Sequence, residues 1–154
     1  MIRVKLTEAP FAAEWEASEF AAKRSGETGA LATFVGYCRS SSETGAVSQL
    51  DLDHYPGFTE SEINRLAQQT AHRHGLDGLL VIHRVGAIAP GEAIVLVAAM
   101  SAHRAAAFAA VAELMDYLKT DAPLWKRESG PGGSRWIEPT AKDRARRRAY
   151  GDDG

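Results

Sequence analysis

The sequence predicts a single α+β domain of mixed, largely antiparallel strands and about three main helices. Three segments carry helical periodicity or helix start and stop signals. The segments between them are short, apolar or alternating, and rich in strand formers. Turns bearing Gly and Pro separate neighbouring strands, as antiparallel pairs require. The 154 residues, 45% hydrophobic and 25% charged, fit one compact domain with a real core.

Residues 2–6 alternate apolar and basic side chains, as a short strand does. A helix is expected from Pro10, in its first turn, to about Arg24, with Phe11, Trp15 and Ala22 sharing a packed face. Residues 30–38 are mostly apolar and predict a buried strand, interrupted at Gly36 by a bulge or a close backbone approach. Residues 47–55 give a second strand, and Pro56-Gly57 turns out of it. Thr59-Glu-Ser-Glu62 has the form of a capping box at the head of a helix whose stripe is Ile63, Leu66, Ala67 and Ala71, stopping at Gly75.

Residues 78–88 and 93–100 predict two further strands joined at Ala89-Pro-Gly-Glu92, with His83-Arg84 as edge-facing polar residues. Ser101 is placed to cap the next helix, with the apolar face Phe108, Val111, Leu114, Met115 and Leu118. Ala122-Pro123 stops that helix. The strand beyond it pairs, across the loop 129–134, with one starting at Arg135, and Trp125 and Trp136 are expected to cover one end of the core. The domain spans residues 1–138, and the polar, partly basic segment 139–154 is a frayed tail or a short helix before an acidic end.

Composition removes several function classes. A formal net charge of −2 opposes general polyanion binding, and the basic run Arg146-Arg-Arg148 is short and lacks interleaved aromatics, so no nucleic acid is expected. The single Cys38 excludes an internal disulfide and a multi-cysteine metal site; it reads as a small buried hydrophobe rather than a nucleophile. His72 and His74 lie two apart, a spacing that points them apart on a helix, so no metal is expected there. No run of apolar residues is long enough to span a membrane and no signal-peptide core is present, which predicts a cytoplasmic, soluble protein.

The chemistry concentrates in Lys119-Thr-Asp-Ala-Pro-Leu-Trp-Lys-Arg-Glu128. Lys119 sits on the last helical turn, and strand alternation beyond the proline places Lys126 and Glu128 on one face with Trp125 and Arg127 on the other. The two lysines are then either solvated surface residues or a converging pair whose repulsion lowers a pKa, with Glu128 offsetting part of it. Arg39, at a strand end, is either exposed or a bidentate anion contact. His103-Arg104 puts cations where free helix amides already favour an anion, so both helix ends carry anion-binding chemistry.

The chain resembles the large, catalytic subunits of molybdopterin synthase. The resemblance rests on Ala30-Leu-Ala-Thr-Phe-Val-Gly36 with Arg39, Leu52-Asp-His-Tyr-Pro-Gly57, Ile82-His-Arg-Val-Gly86, Pro90-Gly-Glu92, Ser101-Ala-His-Arg104 and the 119–128 block, in one order. It implies an α/β hammerhead-type α+β fold. It also implies transfer of sulfur from the C-terminal thiocarboxylate of a small ubiquitin-like carrier subunit to cyclic pyranopterin monophosphate, forming the dithiolene of molybdopterin. The family works as a large-subunit dimer within a heterotetramer, and no cofactor is implied. Carried to this sequence, Lys119 and Lys126 are the catalytic residues. Tyr37, Cys38, Arg39, His103, Arg104, Arg127 and Glu128 join them in binding substrate. Some family members bring a basic residue from the neighbouring subunit near position 140; here Thr140 stands there, with Lys142 and Arg144 nearby. The competing reading is a non-catalytic module that binds a phosphate-bearing ligand or a protein C-terminal tail.

Overall fold

Two four-stranded sheets, a two-stranded ribbon and four helices make up the described part of the chain, residues 1–151 of a computed structural model. The acidic end read at Asp152 and Asp153 lies outside the described residues. In order the elements are β1 (Ile2–Thr7), α1 (Ala13–Ala22), β2 (Ala30–Tyr37), β3 (Ser41–Ser42), β4 (Gly45–Ala46), β5 (Gln49–His54) and α2 (Phe58–His74). Then come β6 (Gly78–Arg84), β7 (Gly86–Ile88), β8 (Ala93–Ser101), α3 (Arg104–Thr120), β9 (Leu124–Gly130), β10 (Gly133–Ile137) and α4 (Ala141–Arg148).

The first sheet has the order β1-β6-β8-β2, with β1 parallel to β6 and the other pairs antiparallel. Its two central strands are covered on both faces, and this is why they read as unbroken apolar runs. Ile63 and Leu66 of α2 and Leu114 of α3 pack on Leu79, Val81, Val95 and Val97, while Ala13 and Phe20 of α1 pack on Leu80, Ile82, Leu96 and Ala98. Each of these large aliphatic side chains contributes about 1.5–3 kcal/mol by leaving water. The second sheet, β10-β9-β5-β7, is antiparallel throughout.

A change of sheet divides what reads as one strand over residues 78–88. Gly86 takes a φ of 78°, open to glycine, and the chain leaves β8 to pair as β7 with β5. Arg84, only 1% exposed, pins this crossing: its Nη2 donates to the Ala87 carbonyl at 2.8 Å, and Nη1 lies 3.5 Å from Glu92 Oε1, which also accepts from the Ala89 amide. Two motifs three residues apart, Ile82-His-Arg-Val-Gly86 and Pro90-Gly-Glu92, are thus two sides of one structural clamp.

Several expectations are corrected. Pro10 precedes α1 instead of opening it, because Ala12 is extended, and the buried face runs through Ala13, Ala17 and Phe20. That spacing leaves Trp15 60% exposed and Ala22 exposed. β2 is an edge strand, with Leu31, Phe34 and Tyr37 all more than 40% exposed; its register does shift at Gly36/Tyr37, as the glycine predicts. The capping box at Thr59 does not form: Gly57 is the cap residue, and the Thr59 hydroxyl accepts from the Tyr55 amide and donates to the Pro123 carbonyl. Ser101 turns its hydroxyl onto the backbone of His103, which itself becomes the cap residue of α3. Phe108 faces out, since Ala107, Ala110, Val111, Leu114, Tyr117 and Leu118 fill the buried stripe. Trp125 and Trp136 lie on the outer face of the second sheet, about half exposed. His83 and Arg84 are buried on a central strand, not at an edge.

The segment after Pro139 forms a helix, α4. Thr140 and Asp143 close a reciprocal capping box, and α4 docks on α3 through Arg147 Nε to Asp121 at 2.7 Å, Arg147 over the Tyr117 ring, and Tyr150 Oη donating to Asp116 at 2.9 Å. Among the described residues no helix is long and apolar enough to cross a membrane.

Candidate active site

The corner between α3 and β9 is built by a helix stop and a strand start. α3 ends at Thr120, with Asp121 as its cap, and Pro123 prevents it from continuing. Leu124 then enters β9, whose alternation turns Leu124, Lys126 and Glu128 inward and Trp125 and Arg127 outward. The consequence is that Lys126 comes within hydrogen-bonding reach of Lys119.

Lys126 is half-buried, and its ammonium is pulled down to about 8: burial is the largest cause, then the charge of Lys119, then the hydrogen bond with it, with Asp143 partly opposing. Asp143 is delivered by the first turn of α4. Burial pushes its carboxyl up, but hydrogen bonds from Thr140, then Lys119 and Arg146, carry it below the usual carboxylate range. Beneath the lysines lies His83, 4% exposed, with Nδ1 2.8 Å from the Arg84 carbonyl oxygen. Burial above all, with the charges of Lys126 and Lys119 adding to it, brings its imidazole down to about 4 against the pull of that hydrogen bond, so the ring is neutral at pH 7. Two ammonium groups, one carboxylate and one neutral ring therefore converge here from four elements.

The other sequence-predicted residues divide. Cys38 is buried beside Leu50, Leu52 and Ile88, and its thiol is pushed up by burial, then by Glu128 and Glu92, which disfavours the thiolate. Glu128 is thus near Cys38 at the end of β2, and the carboxylate that acts on the lysines is Asp143, not Glu128 as expected. Arg39 follows Cys38 and is exposed. Tyr37, 48% exposed, turns toward α1 and donates to Glu14 Oε1 at 2.6 Å. Arg127 occupies the outer face, 3.7 Å from Asp51 and stacked on Trp136 at 5.7 Å. His103 and Arg104 stand exposed at the N-terminal end of α3. Fifteen helical steps separate Arg104 from Lys119, about 22 Å along the axis, so within one chain these residues do not share the lysine corner.

His83 and Asp143 were missed as site residues. Their signals were present: a histidine in an otherwise apolar strand, and Thr140-x-x-Asp143, a cap pattern that announces a helix. A cleft of about 500 Å³ lies elsewhere, on the outer face of the second sheet, lined by Asp53, His54, Tyr55, Pro56, Trp125 and Trp136. Its lining is largely aromatic and contains no lysine or arginine, so the chemistry is assigned to the corner. Among the described residues no group of three His, Cys, Asp or Glu side chains is placed to hold a metal.

A family model described as "MoaE protein" matches residues 6–121, and a Caulobacter vibrioides protein named molybdopterin synthase catalytic subunit is 54% identical over 141 residues, 92% of each chain. The chain belongs to the MoaE family, the catalytic subunits of molybdopterin synthase. An Escherichia coli family member of the same name is 45% identical over 117 residues, covering 76% of this chain and 78% of its own. The solved structure of molybdopterin cofactor biosynthesis protein E from Burkholderia multivorans superposes with a TM-score of 0.80 at 36% identity, over 100% of this chain and 99% of that one. A MoaE-family enzyme of molybdenum cofactor biosynthesis is therefore the frame for the corner. The family match ends at 121, so it includes Lys119 and stops before Lys126 and Asp143.

Proposed function

We propose that this subunit transfers sulfur from the C-terminal thiocarboxylate of a small ubiquitin-like carrier to cyclic pyranopterin monophosphate, producing the dithiolene of molybdopterin. The observation that carries the reading is the Lys119–Lys126 pair, held together against its own repulsion at a corner where Asp143 only partly offsets the charge. Such a pair stabilises negative charge that develops on a reacting group. The carrier sulfur bonds to the pterin and water adds to the carrier's acyl carbon, so that as the C–S bond breaks the carrier leaves as a carboxylate. Lys119 neutralises the oxyanion of that addition or moves its proton, and Lys126, cationic below about pH 8, holds the second charge. Arg39 binds phosphate at the end of β2, with Glu128, Tyr37 and Cys38 forming the adjoining wall. Arg127 stays on the outer face beside Trp136 and is given no part in the transfer.

His103 and Arg104 enter the same site from a second copy of the chain, the arrangement that their distance from Lys119 favours. The exposed edge of β2, with Leu31 and Phe34, and Phe108 at 67% exposure on α3 support self-association. A carrier partner is supported by a structure from Helicobacter pylori, described as a protein–protein complex of subunits 1 and 2 of molybdopterin-converting factor, which shares this fold with a TM-score of 0.72.

The test is a single-turnover reaction of the protein with cyclic pyranopterin monophosphate and thiocarboxylated carrier, the product being read as an oxidised fluorescent pterin. Wild type forms product, and Lys119→Ala slows it by about 10³-fold, as loss of a charge stabiliser does. Binding of both partners with no product from wild type would replace this reading with a non-catalytic binding module.

A further inference from the structure

His83 occupies the floor of the lysine corner, and no role in the reaction follows from the sequence pattern. It lies on β6 between β1 and β8, where its register partners, Leu6 and Val95, do not titrate. Val81 and Leu79, one and two alternations before it, belong to the core beneath α2 and α3. Val95 packs in that core with Leu118, Ala122 and Leu124, the residues that flank Lys119 and Lys126. The ring is therefore beneath the corner, on the side of the sheet that the lysines occupy.

The hydrogen bond to the Arg84 carbonyl fixes what the ring presents. A carbonyl oxygen only accepts, so Nδ1 carries the hydrogen and Nε2 keeps a bare lone pair. The charged groups around it are Lys119 from α3 and Lys126 from β9, with Asp143 of α4 acting on both lysines. Left without a hydrogen, Nε2 is complementary to the two ammonium groups whose charge acts on the ring, whereas a protonated ring there would add a third cation to the cluster.

We propose that His83 is a positioning residue for the sulfur-transfer site, its neutral ring anchored through Nδ1–H to the Arg84 carbonyl while Nε2 accepts from Lys126 and orients that ammonium toward substrate. The proposal rests on the reading of the corner as the site of transfer. His83 touches no reacting atom; it works through Lys126.

Two substitutions separate the two ends of the ring. Asparagine keeps a donor at the Nδ1 position and loses the acceptor at Nε2; glutamine does the reverse. The experiment follows the Lys126 side chain by NMR titration in the free protein, and single-turnover rate and KM for the pterin in the complete reaction, for wild type, His83→Asn and His83→Gln. In His83→Asn the Lys126 titration falls by about 0.5 in pKa, because an acceptor for the charged form is gone. Its turnover drops about tenfold with KM little changed, as a misdirected catalytic group gives. His83→Gln stays near wild type in both readouts. An unmoved Lys126 titration in His83→Asn, or equal loss in both variants without any titration change, overturns the proposal in favour of a structural histidine. The titration needs no substrate, so it decides the role of His83 even if wild type makes no product, an outcome that would count against the sulfur-transfer reading instead.

Discussion

At the C-terminal end of α3, Lys119 meets Lys126 from β9, with Asp143 of α4 alongside and His83 of β6 underneath. At the N-terminal end, His103 and Arg104 stand exposed, no side chain caps the helix and its first turn holds no acidic residue. Both ends concentrate positive charge, yet only the first is surrounded by groups that hold it in place. The helix field sharpens the contrast: cations are favoured at a helix C-terminus and disfavoured at an N-terminus. The difference teaches that one end of α3 is enclosed by groups of its own chain while the other presents its charges to solvent, which is what the proposed division into two half-sites requires.

The comparison is sharpened most strongly by Lys126→Ala. Turnover falls by about 10²-fold in the single-turnover reaction, while thermal or denaturant unfolding at pH 7 shows a gain of about 1–2 kcal/mol, since a strained, half-buried charge is removed. The sign follows from linkage. Lys126 titrates at about 8 in the folded chain and near 10.5 when unfolded, so the unfolded state binds more protons between those values and stability rises with pH across that window. Lys126→Ala flattens this rise. Wild-type turnover, which uses the cation, declines as pH passes upward through about 8.

The N-terminal end is tested by Arg104→Ala, expected to raise KM for the pterin about tenfold by loss of one charged contact, with unfolding little changed because the side chain is exposed. Mixing Arg104→Ala with Lys119→Ala subunits breaks or secures the assignment of two half-sites. Shared sites regain activity in the mixed dimer; sites complete within one chain show only the sum of two impaired proteins.

The smallest effect belongs to Thr140→Ala, which opens the capping box of α4 and costs about 1 kcal/mol of local helix stability. Hydrogen exchange in residues 141–148 reports it. The same substitution loosens Asp143, so the Lys126 titration moves downward as its partial counter-charge is lost.

Legibility from sequence followed the range of the interactions involved. The alternation of β9, the stop at Pro123, the bulge at Gly36 and the meeting of Lys119 with Lys126 are local or nearly so, and the pattern of residues carries them. The exposure of β2 and Phe108 depends on which strand ends a sheet and how a helix is rotated on it, and apolar character alone does not decide either. His83 reads as polar and hence outward-facing, but burial on a central strand is tolerated because its one hydrogen is given to the Arg84 carbonyl. Thr59 has the residues of a capping box, yet the Tyr55 amide and Pro123 carbonyl compete successfully for its hydroxyl. Asp143 was legible as a helix cap at most; that the cap also faces Lys119 is a fact of how α4 docks on α3.

The alternation of β9 also limits how this part of the chain can change over time. Substitutions between Thr120 and Leu124 alter the corner by degrees, but one added or deleted residue reverses the faces of the strand, sending Lys126 to solvent and Trp125 into the interior. Length there therefore matters more to the corner than composition does. The exposed indole of Trp125 supplies an optical witness: its emission moves toward the blue in any variant that has slipped, whether or not that variant has been assayed for chemistry.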